Sequence, residues 1–158
     1  MNEISIRKAT LDDMDILLVF EQGVIAAERP YDSTLQTGLI HYYDIEKMIT
    51  ASDVELLVAC NDDKIIGSGY ARIENVKPYL KHLQHAYLGF MYVDPQYRGK
   101  GVNKMIIDAL EKWAAAEGIT ELRLDVYFPN TAAIKAYEKT GFTKHMVEMR
   151  KEVNQVDQ

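Results

Sequence analysis

The stretch "YVDPQYRGKGVNK", Tyr92 to Lys104, decides how the rest of the chain is read. It follows the apolar run "QHAYLGFMYV" and leads into a helical pattern. Gly99 and Gly101 alternate there with Arg98 and Lys100, and Lys104 follows, in a chain whose formal net charge is −6. A glycine-rich turn that opens a helix gives this charge a use. The first N–H groups of a helix have no partner inside it. The macrodipole adds roughly half a positive charge at that end. Glycines let a ligand reach the backbone with no Cβ in the way. The stretch therefore predicts a phosphate seat. A Walker loop is excluded, because Gly99-Lys100 is followed by Gly101 and not by Ser or Thr. A dinucleotide turn is disfavoured, because residue 104 is lysine and the preceding strand is the fourth and not the first. What remains is a pyrophosphate whose long thiol arm lies along the preceding strand.

Working outward, "EISIRKA" alternates as a first strand. Thr10, with Asp13 three residues on, starts a helix over "LDDMDILLVFEQGVIAA". "ERPYDSTLQTGLIHYYD" is a loop carrying Pro30 and Gly38, and "IEKMIT" a short helix. "ELLVACN" and "KIIGSGYARIE", joined by "DD", form a hairpin in which Gly67 and Gly69 predict a bend or a close backbone approach. "NVKPYLKH" is a loop, and "QHAYLGFMYV", apolar throughout, is a central strand buried on both faces or nearly so. Past the quoted turn, Val102, Met105, Ile106, Ala109, Leu110 and Trp113 fall at helical spacing up to Gly118. "ELRLDVY" is a strand, "AAIKAYEKT" a helix capped by Asn130 or Thr131 and closed by Gly141, and "FTKHMVEMRKE" a last strand. This order predicts an α/β domain with a mixed sheet.

The 158 residues suffice for one domain with a full core, expected over 1–152, with a flexible tail at 153–158. No apolar run is long enough to cross a bilayer, and "MNEISIRKAT" lacks the apolar centre of a secretion signal, so a cytoplasmic protein is expected. Cys60 is the chain's one cysteine; it excludes an internal disulfide and reads as a buried thiol. His82 and His85 are three apart with no carboxylate spacing to complete a zinc site, so no metal is expected. The acidic balance weighs against nucleic acid as a partner.

The segment "MYVDPQYRGKGVNKMIIDALEKWAAAEG" resembles the central motif of the GCN5-related N-acetyltransferases, Arg/Gln-x-x-Gly-x-Gly/Ala. Arg98 and Gly101 match it, and Asn103 stands where Gly or Ala is usual. "LRLDVYFPNTAAIKAYEKTGF" is similar to the family's later motif, and the resemblance spans residues 55–142. It implies a GNAT fold: a mixed central sheet of six to seven strands with splayed central strands, flanked by four helices. It also implies acetyl-CoA as co-substrate. The backbone of Met91, Tyr92 and Val93 would pair with the pantetheine arm. The N–H groups of Arg98, Gly99, Lys100, Gly101, Val102 and Asn103 would hold the pyrophosphate, and Asn130 would orient the arm or cap its helix. A homodimer is a habit of the family.

Acetyl transfer to an amine needs a neutral nucleophile, a donor for the oxyanion and a proton for the departing thiolate. The resemblance gives the proton to Tyr137, which also reads as a core aromatic, and the oxyanion to the N–H of Val93. No Asp or Glu lies between Ala86 and Val93, so the base is left between His85, Glu28 and a water. Tyr31, His41, Tyr42, Tyr43, Tyr70 and Tyr79, with Glu28, Asp32 and Asp44, form an aromatic, acidic wall for a cationic acceptor. Three functions follow: an N-acetyltransferase acting on an amine of a small molecule or protein, a non-catalytic acyl-CoA sensor on the same fold, and a nucleotide-binding regulator.

Overall fold

The computed structural model describes residues 3–154. They divide after Asp125 into two compact units. The first unit holds β1 (Ile4–Lys8), α1 (Met14–Glu28), α2 (Ile45–Thr50), β2 (Val54–Asn61), β3 (Lys64–Asn75), β4 (Gln84–Val93), α3 (Val102–Ala116) and β5 (Leu122–Arg123). The second holds α4 (Thr131–Lys139). Short 3-10 turns occupy Leu11–Asp13, Arg29–Tyr31 and Pro95–Tyr97.

The five strands lie in the order β1-β2-β3-β4-β5. The first four pair antiparallel, and β5 joins β4 in parallel. This is the expected α/β architecture with four α-helices, but the sheet has five strands among the described residues and not six to seven. The shortfall is at the C-terminal end. "ELRLDVY" forms strand only at Leu122–Arg123, and no strand forms in "FTKHMVEMRKE". That segment has charge on both faces, and Met146, Val147 and Met149 are exposed, so no apolar face drives it onto a sheet. Residues 155–158, most of the expected tail, lie outside the described residues.

β2 is buried on both faces from Leu56 to Cys60. In the hairpin Asp62-Asp63 makes the turn, with Asp62 at φ 54°. β4 corrects an expectation. Ala86, Leu88 and Phe90 are buried, while Tyr87, Gly89 and Met91 between them are half-buried. One face meets the core, and the other carries polar groups. On β3 the small residues Gly67, Gly69 and Ala71 alternate with Ser68, Tyr70 and Arg72. A Cβ on Gly69 would lie 2.7 Å from Ile106 Cγ2 of α3 and 2.7 Å from Met91 Sδ. A Cβ on Gly67 would lie 2.9 Å from the Tyr92 carbonyl. The glycines mark a close approach, and it is α3 and β4 that approach.

α3 buries Val102, Ile106, Ile107, Leu110 and Ala114, a stripe at helical spacing. Each fully buried aliphatic side chain is worth about 1.5–3 kcal/mol, so the stripe fixes where the helix begins. α1 buries Leu17, Phe20 and Ile25 beside a carboxylate, Glu21. Ahead of it Asp13 accepts from the Thr10 N–H at 2.8 Å and takes both Nη atoms of Arg7 at 2.8 and 3.0 Å. Those bonds hold the Asp13 carboxyl below its usual range. In the second unit the Asn130 side chain caps α4 by accepting from the Ala133 N–H at 3.2 Å, and Gly141 follows the helix at φ 102°.

Candidate active site

The end of β4 and the start of α3 form one structural piece. Asp94 donates its N–H to the Ile66 carbonyl at 2.7 Å, so Asp94 and, two residues back, Tyr92 face β3. The backbone of Val93 between them points the other way. Its carbonyl accepts from Arg98 Nε at 3.0 Å, and its N–H faces the same open side. The parallel pairing of β5 reaches only Ala86 and Tyr87, so β4 from Leu88 to Val93 runs on without a β5 partner. The expected splay of two long strands takes another form here, because β5 ends at Arg123 and leaves this edge of β4 without a strand beside it.

The turn that follows is shaped by its glycines. Gly99 and Gly101 hold φ of 74° and 81°, and a Cβ on either would meet nothing within 4 Å. Both need glycine for conformation, and both leave the backbone open. Gly101 is the N-cap of α3 and offers no side-chain cap to the first N–H groups. Asn103 is half-buried in the first turn. Arg98 and Lys100 stand over the rings of Tyr92 and Tyr97, with 5.8 and 5.5 Å from cation to centroid. Lys104 is engaged by Asp108 at 2.7 Å along the helix. Two cations, two open glycines and an uncapped helix start are thus gathered at one place.

Before this piece β4 carries a bulge. Tyr70 pairs with Gly89 and Ser68 with Tyr92, so Phe90 and Met91 together oppose one residue of β3. Phe90 sits at φ 55°, an unusual conformation for a bulky side chain, yet it is buried and well held. Ser68 Oγ donates to its carbonyl at 2.9 Å. The Tyr43 ring stacks on it with centroids 4.5 Å apart. Nothing in the sequence signals this bulge, because a phenylalanine seldom marks a left-handed position.

Of the aromatic residues expected to form a wall for a cationic acceptor, Tyr42, Tyr43 and Tyr70 gather around the same bulge. Tyr43 meets Tyr42 and Tyr70 edge-on at 5.7 and 5.9 Å. The Arg72 guanidinium lies 5.6 Å from the rings of both Tyr70 and Tyr87. Tyr87 donates its hydroxyl to Asp125 Oδ2 at 3.0 Å. Burial pushes the Tyr43, Tyr70 and Tyr87 phenols up, so all three stay protonated near neutrality. Burial, with Glu28 alongside, raises Tyr42 to about 12. Glu28 closes α1, and its carboxyl is raised mainly by burial, against a hydrogen bond from Tyr42 that lowers it. Tyr31 follows in its 3-10 turn, more exposed than the others. Tyr79, at 74% exposure, stands outside the cluster.

His85 lies at the opposite end of β4 from the turn. It pairs across the sheet with Glu74, whose Oε1 is 3.9 Å from its Nε2, and burial holds the imidazole below its usual value. Eight residues of strand separate it from Val93, roughly 26 Å at 3.3 Å per residue. The strand therefore does not bring His85 to the turn. Tyr137, in the second unit, is half-buried on α4 with its ring edge-on to Phe142 at 5.9 Å. Its carbonyl accepts from Thr140 and Phe142 at the helix end. Among the described residues no group of three or more His, Cys, Asp or Glu could hold a metal ion, and no helix is long and apolar enough to cross a membrane.

One structural residue escaped the reading of the sequence. Glu21 is fully buried and binds the loop at residues 41–43. A lone acid in "ILLVFEQGVIAA" was the available signal, since an unpaired carboxylate does not enter an apolar helix face without partners.

Comparison with known proteins agrees with this geometry. Residues 22–142 match the family model described as the acetyltransferase (GNAT) family. An aminoglycoside N(6')-acetyltransferase type 1 from Klebsiella aerogenes is 32% identical over 79 residues, which cover 48% of this chain and 51% of that protein. The chain thus spans about half the length of this curated relative. A protein of Bacillus halodurans, solved as a mutant, superposes with a TM-score of 0.85 at 19% identity over 95% of this chain and 99% of that one. A predicted acetyltransferase of Clostridium acetobutylicum, crystallised with acetyl-CoA, gives 0.66 at 21% identity over 96% of each chain.

Proposed function

This chain belongs to the acetyltransferase (GNAT) family, and we propose that it moves the acetyl group of acetyl-CoA to a primary amine of a small molecule or a protein, by direct attack in a ternary complex. One observation carries the reading. The unpartnered end of β4, with the Val93 N–H turned away from β3, runs straight into an open Gly99–Gly101 turn at the uncapped start of α3. A molecule with a diphosphate at one end and an extended amide-bearing arm fits both halves, and acetyl-CoA, which supplies an acetyl group activated as a thioester, is such a molecule. The relative named as an aminoglycoside N-acetyltransferase and the neighbour crystallised with acetyl-CoA support it.

The residues divide the work. Main-chain N–H groups from Arg98 to Asn103 hold the diphosphate, with Arg98 and Lys100 adding charge. The backbone of Met91, Tyr92 and Val93 receives the arm as a neighbouring strand would. The Val93 N–H donates to the oxyanion that develops when the amine attacks. The family's later motif assigns the orienting of the arm to Asn130 and the proton for the departing sulfur to Tyr137. Glu28, with its raised carboxyl, takes the proton from the amine, directly or through water. The tyrosines around Glu28, including Tyr31, accept the amine's cationic form by their ring faces before it deprotonates.

A panel of amines offered with acetyl-CoA tests this. Release of free CoA thiol with at least one amine is the expected result. Tight CoA binding with no thiol release from any of them would instead favour an acyl-CoA sensor, a reading motivated by the absence of any carboxylate on β4 and by Asn103 in the turn.

A further inference from the structure

We propose that Glu21 is a positioning residue for the acceptor side of the reaction, fixing the loop that presses on the β4 bulge. The inference rests on the acetyltransferase reading above and adds a residue that reading does not use. Glu21 has 0% exposure in the middle of α1. Its Oε2 accepts the backbone N–H groups of Tyr42 and Tyr43, each at 2.9 Å. Its Oε1 lies 2.6 Å from His41 Nδ1. Three consecutive residues of an irregular segment thus converge on one buried carboxylate. A carboxylate in an apolar interior is tolerated only when its oxygens are satisfied, so loop and side chain hold each other.

The clamp has a direction. Residues 32–44 form no helix or strand of their own. Two further side chains stitch the same segment: Gln22 Nε2, from α1, donates to the Ile40 carbonyl at 2.9 Å, and Arg29, in the 3-10 turn after α1, donates to the carbonyls of Gln36 and Gly38. Those bonds set the path of the loop up to residue 40. Glu21 holds the N–H groups of the two residues, Tyr42 and Tyr43, whose side chains reach the bulge and Glu28. Tyr43 then stacks on Phe90, the left-handed residue of the bulge, and Tyr42 reaches Glu28. The carboxylate therefore orders both the aromatic that packs on the bulge and the partner of the proposed base. The hydrogen-bond partners of Glu21, at residues 41–43, lie in neither the Gly99–Gly101 turn nor α3.

This separation gives the test. Glu21→Gln keeps an oxygen that can accept both N–H groups, whereas Glu21→Ala keeps nothing. For Glu21→Ala we expect KM for the amine to rise about 30-fold or more while the CoA dissociation constant, read by calorimetry, stays within about twofold. For Glu21→Gln we expect a rise of only a few fold. Amide hydrogen exchange is the second arm and needs no turnover. The Tyr42 and Tyr43 amides should lose protection in Glu21→Ala while the amides of α3 keep theirs. Unchanged amine KM in a folded Glu21→Ala protein, equal losses in amine and CoA affinity, or undiminished protection at residues 42 and 43 would each overturn the proposal. Wild-type protein that acetylates no amine would overturn the functional reading instead, and the exchange arm would still decide the clamp. Should Glu21→Ala fail to fold, Glu21→Gln carries both arms on a smaller scale: its neutral oxygen accepts more weakly than the carboxylate, so amine KM should rise a few fold and protection at residues 42 and 43 should fall while CoA affinity holds, and no change in either would overturn the proposal.

Discussion

Gly101 holds φ at 81° with open space where a Cβ would stand, so the glycine serves the backbone and not the packing. Gly101→Ala should cost about 1 kcal/mol of strain, lower the melting temperature by roughly 2–4 °C and weaken CoA binding by roughly tenfold, measured by calorimetry. Gly89 is the opposite case. A methyl there would lie 2.7 Å from the Tyr70 ring, so Gly89→Ala should destabilise the fold by about 1–3 kcal/mol in urea titrations. Tyr137→Phe leaves an aromatic to pack and removes the proposed proton. Turnover should fall about 100-fold or more while CoA affinity holds, and an unchanged rate would remove the assigned role. The sequence was legible at this scale where chemistry is local. Arg98, Gly99 and Gly101 could be picked out because a turn into a helix is written in consecutive residues. Glu21 could not be assigned its partners, because they lie some twenty residues away and are mostly peptide N–H groups, which every residue carries.

Among the elements, β4 departs most from its sequence. Its apolar letters predict a strand enclosed on both faces, whereas the chain alternates and then bulges at Phe90. The bulge depends on its supports, Tyr43 and the hydroxyl of Ser68. Ser68→Ala leaves the Phe90 carbonyl without that donor in a buried site. It should cost about 1–2 kcal/mol of stability and lower kcat/KM for the amine, since the strand that offers Val93 is no longer pinned. The end of α1 makes a separate prediction. Burial lifts the Glu28 carboxyl above its ordinary value of 4.5, so it loses its proton later on the pH scale than a free glutamate. The acid limb of kcat/KM should accordingly show one proton lost, from Glu28 above pH 4.5, because the acceptor amine binds as its cation and gives its proton to that carboxylate. In Glu28→Gln only amine that is already neutral can react, so the limb should move up to the pKa of the amine, and an unaltered limb would assign the base to another group.

For the whole molecule, the order of elements up to α3 was readable because each segment carries its own period and its own punctuation. α4, with its Asn130 cap, was readable in the same way, but the last strand was not, since "FTKHMVEMRKE" has the letters of a strand without an apolar face to seat it. Stability should follow pH through the Arg7–Asp13 pair. The Asp13 carboxyl is held below its ordinary value of 3.8, so its contribution is present above that pH and is lost as pH falls through the lowered value. Asp13→Asn should be less stable by about 1–2 kcal/mol at neutrality and should lose less on acidification, as thermal melts at several pH values would reveal. CoA at a hundredfold excess over its dissociation constant should stabilise the fold by about 2.7 kcal/mol, raising the melting temperature by roughly 5–10 °C. Cys60 offers an internal clock for such events. The chain's one thiol lies at 4% exposure on β2, between Ser5 of β1 and Ile65 of β3. An alkylating reagent can reach it only when the sheet opens, so its labelling rate counts excursions of the core, including release of the edge strand β1.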